Sequence, residues 1–247
     1  MDAADLTLDG LLDGRVRLRQ PRGGLRAGLD AVLLAAAIPA RPGDIVLEGG
    51  CGSGAVAICL MARVPDITVY AIERDPDLAG LARDNAALNG VAERLTVLTG
   101  DIADRALTRA LPPVHHAMAN PPYWPAGTIP PGALRAGATH QAMGPDLAAW
   151  TQALARPLRR DGSLTLVLPA EQALAGAEAL RGARCGSLAL LPLWPRAGQA
   201  ARRALVQGRR LGRGPDRILP GIALHEGDGW SPAAERLLRD ALPVTWS

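Results

Sequence analysis

Apolar positions in this chain fall into short runs, separated by polar and Gly/Pro-rich breaks. Residues 6–20 alternate loosely between apolar and polar around Asp13-Gly14, the dipeptide that favours a two-residue hairpin turn. Residues 29–40 form an apolar helix that ends near Pro39. Strands and helices then alternate. Ile45-Val46-Leu47 predicts a strand, followed by a Gly-rich turn and a helix from about Ala55 to Arg63. Ile67 to Ile72 predicts the second strand. Pro76 opens the next helix, where its missing N–H costs nothing, and that helix runs to about Asn89-Gly90. Leu95 to Leu98 and Val114 to Ala119 are the third and fourth strands, and residues 124–144 read as a loop. A helix from Asp146 to Leu158 leads through an Asp161-Gly162 turn into the strand Ser163 to Leu168. A helix from about Glu171 to Arg181 and strands Leu188 to Leu193 and Ala204 to Gln207 follow. The last helix, capped by Ser231 with Pro232 at its first position, runs to about Asp240.

Such alternation predicts an α/β fold with a mainly parallel sheet and helices on both faces. Residues 1–40 read as a hairpin-and-helix extension, and 41–247 as the main domain. Ligands of such sheets bind outside the carboxyl ends of the strands, so chemistry-bearing residues belong there.

Composition narrows this picture only slightly. The chain has 247 residues, 48% hydrophobic and 21% charged, as in an ordinary globular protein. No apolar run approaches the roughly 20 residues of a membrane helix. The acidic start lacks the layout of a signal peptide, so a cytoplasmic location is expected. Cys51, Cys59 and Cys185 show no metal spacing or paired framework, and the four histidines do not pair with them. No metal site is expected, and Cys51 reads as a small residue packed in a turn. All 27 basic residues are arginine, and phenylalanine is absent. Codon bias explains both, although the arginine fork also suits phosphate.

Glu48-Gly49-Gly50-Cys51-Gly52-Ser53-Gly54 follows the first strand. Glycines allow the tight turn and close approach of a ligand, and the free N–H groups of the next helix face the same space. The turn also fits a dinucleotide fingerprint, which likewise expects an acid near Glu73. Two further acids extend the pattern. Glu48 precedes the turn, and Asp101 follows the third strand. An acid at each of three successive strand ends resembles the class I methyltransferases that use S-adenosylmethionine (SAM). That resemblance implies a Rossmann-like, mostly parallel seven-stranded sheet. It implies that Glu48, Gly50, Gly52 and Gly54 serve the methionine end of SAM, Glu73 the ribose and Asp101 the adenine amine. The family more often has Asp at the position of Glu48.

Asn120-Pro121-Pro122-Tyr123 follows the fourth strand. Consecutive prolines fix the backbone and present carbonyls without a competing N–H. The Asn120 side chain and the Pro121 carbonyl are two acceptors for the two hydrogens of a planar –NH2 group. Accepting both favours pyramidalisation and leaves the nitrogen lone pair aimed at the methyl. Tyr123 offers a flat stacking face, Pro122 borders the same pocket, and Trp124 is either a wall of it or packing under the loop. The run resembles the motif of amino-methyltransferases acting on adenine N6, cytosine N4 or the glutamine amide. In that family the residue Asn120 also reaches the cofactor.

Three acceptors compete. Glutamine-N5 methylases carry a helical domain before this core, and restriction DNA methylases add a target-recognition domain; neither has room here. Gln20-Pro21-Arg22-Gly23-Gly24-Leu25-Arg26, Leu29 to Ala35, Arg83 to Gly90 and Pro192 to Gly208 are similar to bacterial valine-tRNA (adenine-37) N6-methyltransferases. The resemblance implies an RNA partner, a tRNA modified beside the anticodon, where extruding an unpaired base costs little. Arginines from Arg196 to Arg217, with Arg203 and Arg209 among them, are candidate phosphate contacts, and Arg22, Arg26 and Arg135 would add to them. Asp30 either closes the site or favours a helix start. The alternatives are a protein glutamine-N5 methyltransferase, a SAM-binding regulator without catalysis and, more remotely, a nicotinamide oxidoreductase.

Overall fold

The computed structural model describes residues 5–23, 26–122 and 146–246. It begins with a hairpin of β1 (Leu6–Leu11) and β2 (Val16–Pro21). Asp13 and Gly14 adopt φ of 56° and 80°, and the Arg15 N–H donates to the Leu12 carbonyl at 3.2 Å. Asp13-Gly14 thus sits at the centre of a four-residue loop, 12–15, rather than forming a two-residue one, and Leu12 also has positive φ, at 51°. Helix α1 (Leu29–Ala37) follows; the described chain then continues with β3 (Ile45–Gly49), α2 (Ala55–Arg63), β4 (Thr68–Glu73), α3 (Pro76–Leu88), β5 (Leu95–Thr99), α4 (Arg105–Arg109) and β6 (Val114–Ala119). From residue 146 onward come α5 (Leu147–Ala155), β7 (Leu158–Pro169), α6 (Ala173–Gly182), β8 (Cys185–Arg196) and β9 (Arg203–Arg210). Short strands β10 (Arg217–Ile218), β11 (Ile222–Glu226) and β12 (Gly229–Trp230) precede α7 (Pro232–Leu238).

One sheet runs in the order β12-β11-β8-β9-β7-β6-β3-β4-β5, with β10 also on β8. Its seven central strands, β8-β9-β7-β6-β3-β4-β5, are parallel except β9, which pairs antiparallel with both neighbours. The Rossmann-like expectation holds, and the sheet is extended past β8 by three short strands. Two apolar clusters cover its faces. One includes α1, α2 and buried residues of α7; the other includes Trp150 and Leu154 of α5 and Leu180 of α6.

Two expected boundaries differ. Helix α5 ends at Ala155 rather than Leu158, because Pro157 follows and its carbonyl accepts the Val114 N–H at 2.9 Å, starting the sheet instead. Asp161-Gly162 lies inside β7, where the register jumps from Val114↔Leu158 to His116↔Ser163. The intervening residues bulge out, with Asp161 at φ 62°.

The hairpin is fastened by side chains. Asn85 and Asn89, one turn apart on α3, present their amides to the edge of β2. The Asn85 carbonyl accepts the Arg19 N–H at 2.8 Å, and its amide donates to the Arg19 carbonyl at 2.9 Å. Asn89 repeats the exchange with Arg17 at 2.9 and 2.7 Å. Two amides thus act as the missing neighbour strand and close an edge that would otherwise stand open.

Candidate active site

Strand order reverses between β3 and β6, and such a switch point opens a crevice at the carboxyl ends. Gly49 pairs with Ala119 across this boundary, so the glycine turn and Asn120 leave the sheet side by side. On the other flank Gly49 pairs with Ile72, and Glu73 with Thr99, which brings Glu73 and Asp101 into the same row. A cavity of about 1040 Å³ fills the crevice. Its lining includes Glu48, Gly50, Gly52, Glu73 and Asp101 on one side and Asn120, Pro121 and Pro122 on the other. The volume is at the upper end for a ligand pocket and suits a cofactor with part of a second molecule.

Glu48 is buried, and its carboxylate accepts the Ala57 N–H at 3.0 Å. Ala57 lies in the first turn of α2, whose N-cap, Gly54, has no side chain to offer. Glu48 therefore caps that helix from the strand beneath it. Burial pushes its pKa up to about 8; the Ala57 hydrogen bond pulls the other way, and the nearby Glu73 adds to the rise. A cation placed in this cavity would draw the proton off.

The glycines divide the work. Gly50 has φ 65°, and a Cβ there would lie 2.5 Å from the Trp150 ring. Gly52 has φ 54° with open space beside it, and its N–H donates to Glu73 at 2.9 Å. Gly54 has φ 85° and a Cβ would press on Ala82 of α3, so it serves helix packing and is not part of the cavity lining. Glu73 is anchored by the N–H groups of Gly52 and, at 3.0 Å, of Asp75. Asp101 is exposed and accepts the Ala103 N–H at 2.8 Å. Cys51 is buried, and its thiol pKa is raised well above the ordinary range by burial first and by Glu48 and Glu73 second. It is packed, as its sequence context suggests.

Tyr123 and Trp124, expected at the acceptor side, lie outside the described residues, as do Arg135 and the 124–144 loop. Arg203 lines the cavity, and its Nε donates to Asp30 at 2.9 Å. Asp30, at the start of α1, thus joins the N-terminal segment to β9. Arg209 lies at the other end of β9, away from this cavity. Two wall groups were not legible as site residues. Trp150 of α5 backs the glycine turn, and its buried Nε1 has no partner among the described residues. Leu224 and His225 come from β11, a strand whose polar surroundings carry no apolar period. Among the described residues no group of three or more His, Cys, Asp and Glu side chains is arranged to hold a metal.

The chain is similar to known methyltransferases. The profile of a precorrin methyltransferase domain matches residues 25–115, which spans the cofactor side of the crevice and stops before Asn120. A tRNA1(Val) (adenine(37)-N6)-methyltransferase of Aeromonas hydrophila is 34% identical over 214 residues, covering 84% of this chain and 86% of its own. The chain belongs to this methyltransferase family. Among solved structures, a predicted O-methyltransferase of Agrobacterium tumefaciens shares the fold, with a TM-score of 0.70 at 24% identity over 84% of this chain and 94% of that one. TrmN of Thermus thermophilus matches with a TM-score of 0.50 at 27% identity, over 76% of this chain and 50% of its own. The protein is a methyltransferase with SAM as its cofactor. The residues present fit that cofactor. A buried carboxylate suits its cationic methionine end, and the turn at Gly50 has no room for a side chain.

Proposed function

We propose that this chain methylates the exocyclic N6 of an adenine in RNA, a tRNA base near the anticodon, and that it works in the cytoplasm. One observation carries the reading. Asn120 and Pro121 leave β6 beside the glycine turn, in the same cavity as Glu48, Glu73 and Asp101. The acceptor nitrogen and the methyl donor then share one enclosure. The family supports adenine over the glutamine amide, since its curated members are named for adenine 37.

When bound, SAM supplies a methyl already activated by its sulfonium, so transfer needs neither a metal nor a nucleophilic side chain. Glu48 and the Gly50–Gly52 backbone hold the methionine end, Glu73 the ribose and Asp101 the adenine amine. The Asn120 side-chain carbonyl and the Pro121 carbonyl accept the two hydrogens of the substrate amine. That withdraws its lone pair from the ring and turns it toward the donor. Catalysis here is positioning and electrostatics. Pro122, Tyr123 and Trp124 border the extruded base, and Arg203, tied to Asp30, borders the RNA side of the cavity. Residues 1–40 form an extension that completes the wall of the 41–247 domain.

The test is transfer of labelled methyl from SAM to unmodified tRNA, followed by nucleoside analysis, which should find N6-methyladenosine. Label only on a protein glutamine, or SAM binding with no transfer to any RNA, refutes the reading. Asn120→Ala should abolish transfer while SAM binding largely persists, and Glu73→Ala should weaken SAM binding. Equal loss of SAM binding in both would place Asn120 on the cofactor side alone.

A further inference from the structure

Because β9 runs against its neighbours, its start lies at the carboxyl ends of the parallel strands and its end at their amino ends. Arg203 borders the large cavity. Arg209, six residues on and roughly 20 Å away at the rise of a strand, borders a second cavity of about 320 Å³. This one lies at the amino ends of the parallel strands. Arg41 and Asp44 come from the turn before β3, Arg159, Arg160 and Asp161 from the bulge of β7, and two histidines from the start of β6.

Its charges do not cancel. Four guanidinium groups face two carboxylates. Asp44 is already engaged, accepting the Arg41 backbone N–H at 2.8 Å and standing 3.2 Å from His116 Nε2. Asp161 lies 3.7 Å from Arg160 Nε in an exposed pair. Among the described residues, neither Arg159 nor Arg209 has a carboxylate partner. Arg209 is half-buried, and among the described residues its Nη1 donates to the Asp161 carbonyl at 3.4 Å. Burial lowers its pKa, the nearby Asp161 carboxylate pulls it back up, and Arg217 lowers it further. Arg159 Nη1 stands 2.5 Å from His115 Nε2. His115 Nδ1 accepts the Ile45 N–H at 2.9 Å, which leaves the ring proton on Nε2. The nearest carboxylate oxygen to His115 Nε2, Asp44 Oδ1, stands 3.7 Å away, beyond hydrogen-bond reach. Directed N–H groups and uncompensated guanidinium charge in a concavity are what a tetrahedral oxyanion requires.

We propose that this cavity binds a phosphate group, held by the guanidinium groups of Arg159 and Arg209 with His115 Nε2–H as a third donor. It rests on this cavity's own geometry and stands apart from the methyl-transfer reading. The phosphate can be free or a backbone phosphodiester of bound RNA, and the two sources separate experimentally.

The probe is inorganic phosphate, titrated calorimetrically into the full chain at constant ionic strength held with chloride. Arg159→Gln/Arg209→Gln should lower phosphate affinity by about tenfold or more, since each charge-assisted hydrogen bond is worth about that factor. SAM binding should stay within about twofold of wild type as a sign of an intact fold. Arg209→Gln alone serves if the double variant does not fold. Wild-type protein that binds no phosphate, or folded variants that bind it equally well, overturn the proposal. In a second arm, unmodified tRNA binding is followed against salt concentration. A log–log slope shallower by about one in the variant assigns the site to an RNA phosphate. An unchanged slope with phosphate binding lost assigns it to the free ion, and the site stands.

Discussion

Replacing Glu48 with Gln should stabilise the protein without cofactor and weaken its hold on SAM. Glu48 has a folded pKa of about 8 against an ordinary 4.5. Between those values the folded chain keeps a proton that the unfolded chain has released. Stability therefore falls as pH rises through that window. At pH 7 the gap amounts to on the order of 3 kcal/mol, and below pH 4.5 it vanishes. Gln retains an acceptor for the Ala57 N–H and carries no charge to desolvate. The variant should gain that stability at pH 7 and match wild type at pH 4. Cofactor binding should run the other way. At pH 7 about nine-tenths of Glu48 is protonated, and the arriving cation favours the carboxylate. Wild-type affinity for SAM should then rise with pH up to about 8, by at most about tenfold per unit, with one proton released. Glu48→Gln should bind more weakly and lose that slope. Urea unfolding from pH 4 to 8, with titration calorimetry in two buffers of different ionisation heat, reads both effects. A variant no more stable than wild type at pH 7, or a difference constant across pH, would refute a buried neutral Glu48.

Gly50→Ala should abolish SAM binding and cost about 1–3 kcal/mol in stability, because the new methyl meets Trp150 in a backbone region that disfavours side chains; calorimetry and thermal unfolding check it. Asn85→Ala leaves the Arg19 N–H and carbonyl and the Ser53 carbonyl without their amide partner. It should cost about 3 kcal/mol and raise amide hydrogen exchange in β2 before the rest of the sheet. Uniform exchange across the sheet would show that the hairpin does not depend on this residue. All three cysteines are buried, with thiol pKa values raised by burial. The native protein should resist iodoacetamide at pH 8, with mass spectrometry showing full labelling only after unfolding.

The cofactor side of the crevice was legible because its chemistry is tied to local pattern. A strand, a glycine turn and a helix occur in sequence, and the acids stand at strand ends that the apolar period marks. Asn120 was legible for the same reason, since β6 spans the residues that its pattern predicts. What stayed hidden depends on pairing between distant segments. Strand β11 forms because the edge of β8 is open to it, with Ile222 set against Leu193, and nothing in its own sequence requires it. Trp150 reads as one apolar residue of a helix, and only its position against Gly50 makes it a wall. That Arg203 and not Arg209 reaches the large cavity follows from the antiparallel direction of β9, which an apolar run cannot reveal. Gly54 fits the motif, yet its φ and its closeness to Ala82 assign it to packing.

The N-terminal extension also joins the two halves of the site. Asn85 and Asn89 fasten β2 to α3, the helix that follows the acid Glu73. Gln20, buried in β2, then accepts the Ala27 N–H at 2.7 Å and donates to its carbonyl at 3.2 Å, fixing the approach to α1. That approach sets Asp30 against Arg203 on β9, and both line the large cavity. Val244 and Trp246 in turn donate at 2.8 Å to the last carbonyls of α1, which closes its far end. Each link is a hydrogen bond at a defined residue, and together they form a series from α3 through the hairpin and α1 to β9. The hairpin is thus bonded to α3 through Asn85 and, by way of Gln20 and the approach to α1, leads to the Asp30–Arg203 pair that borders the cavity.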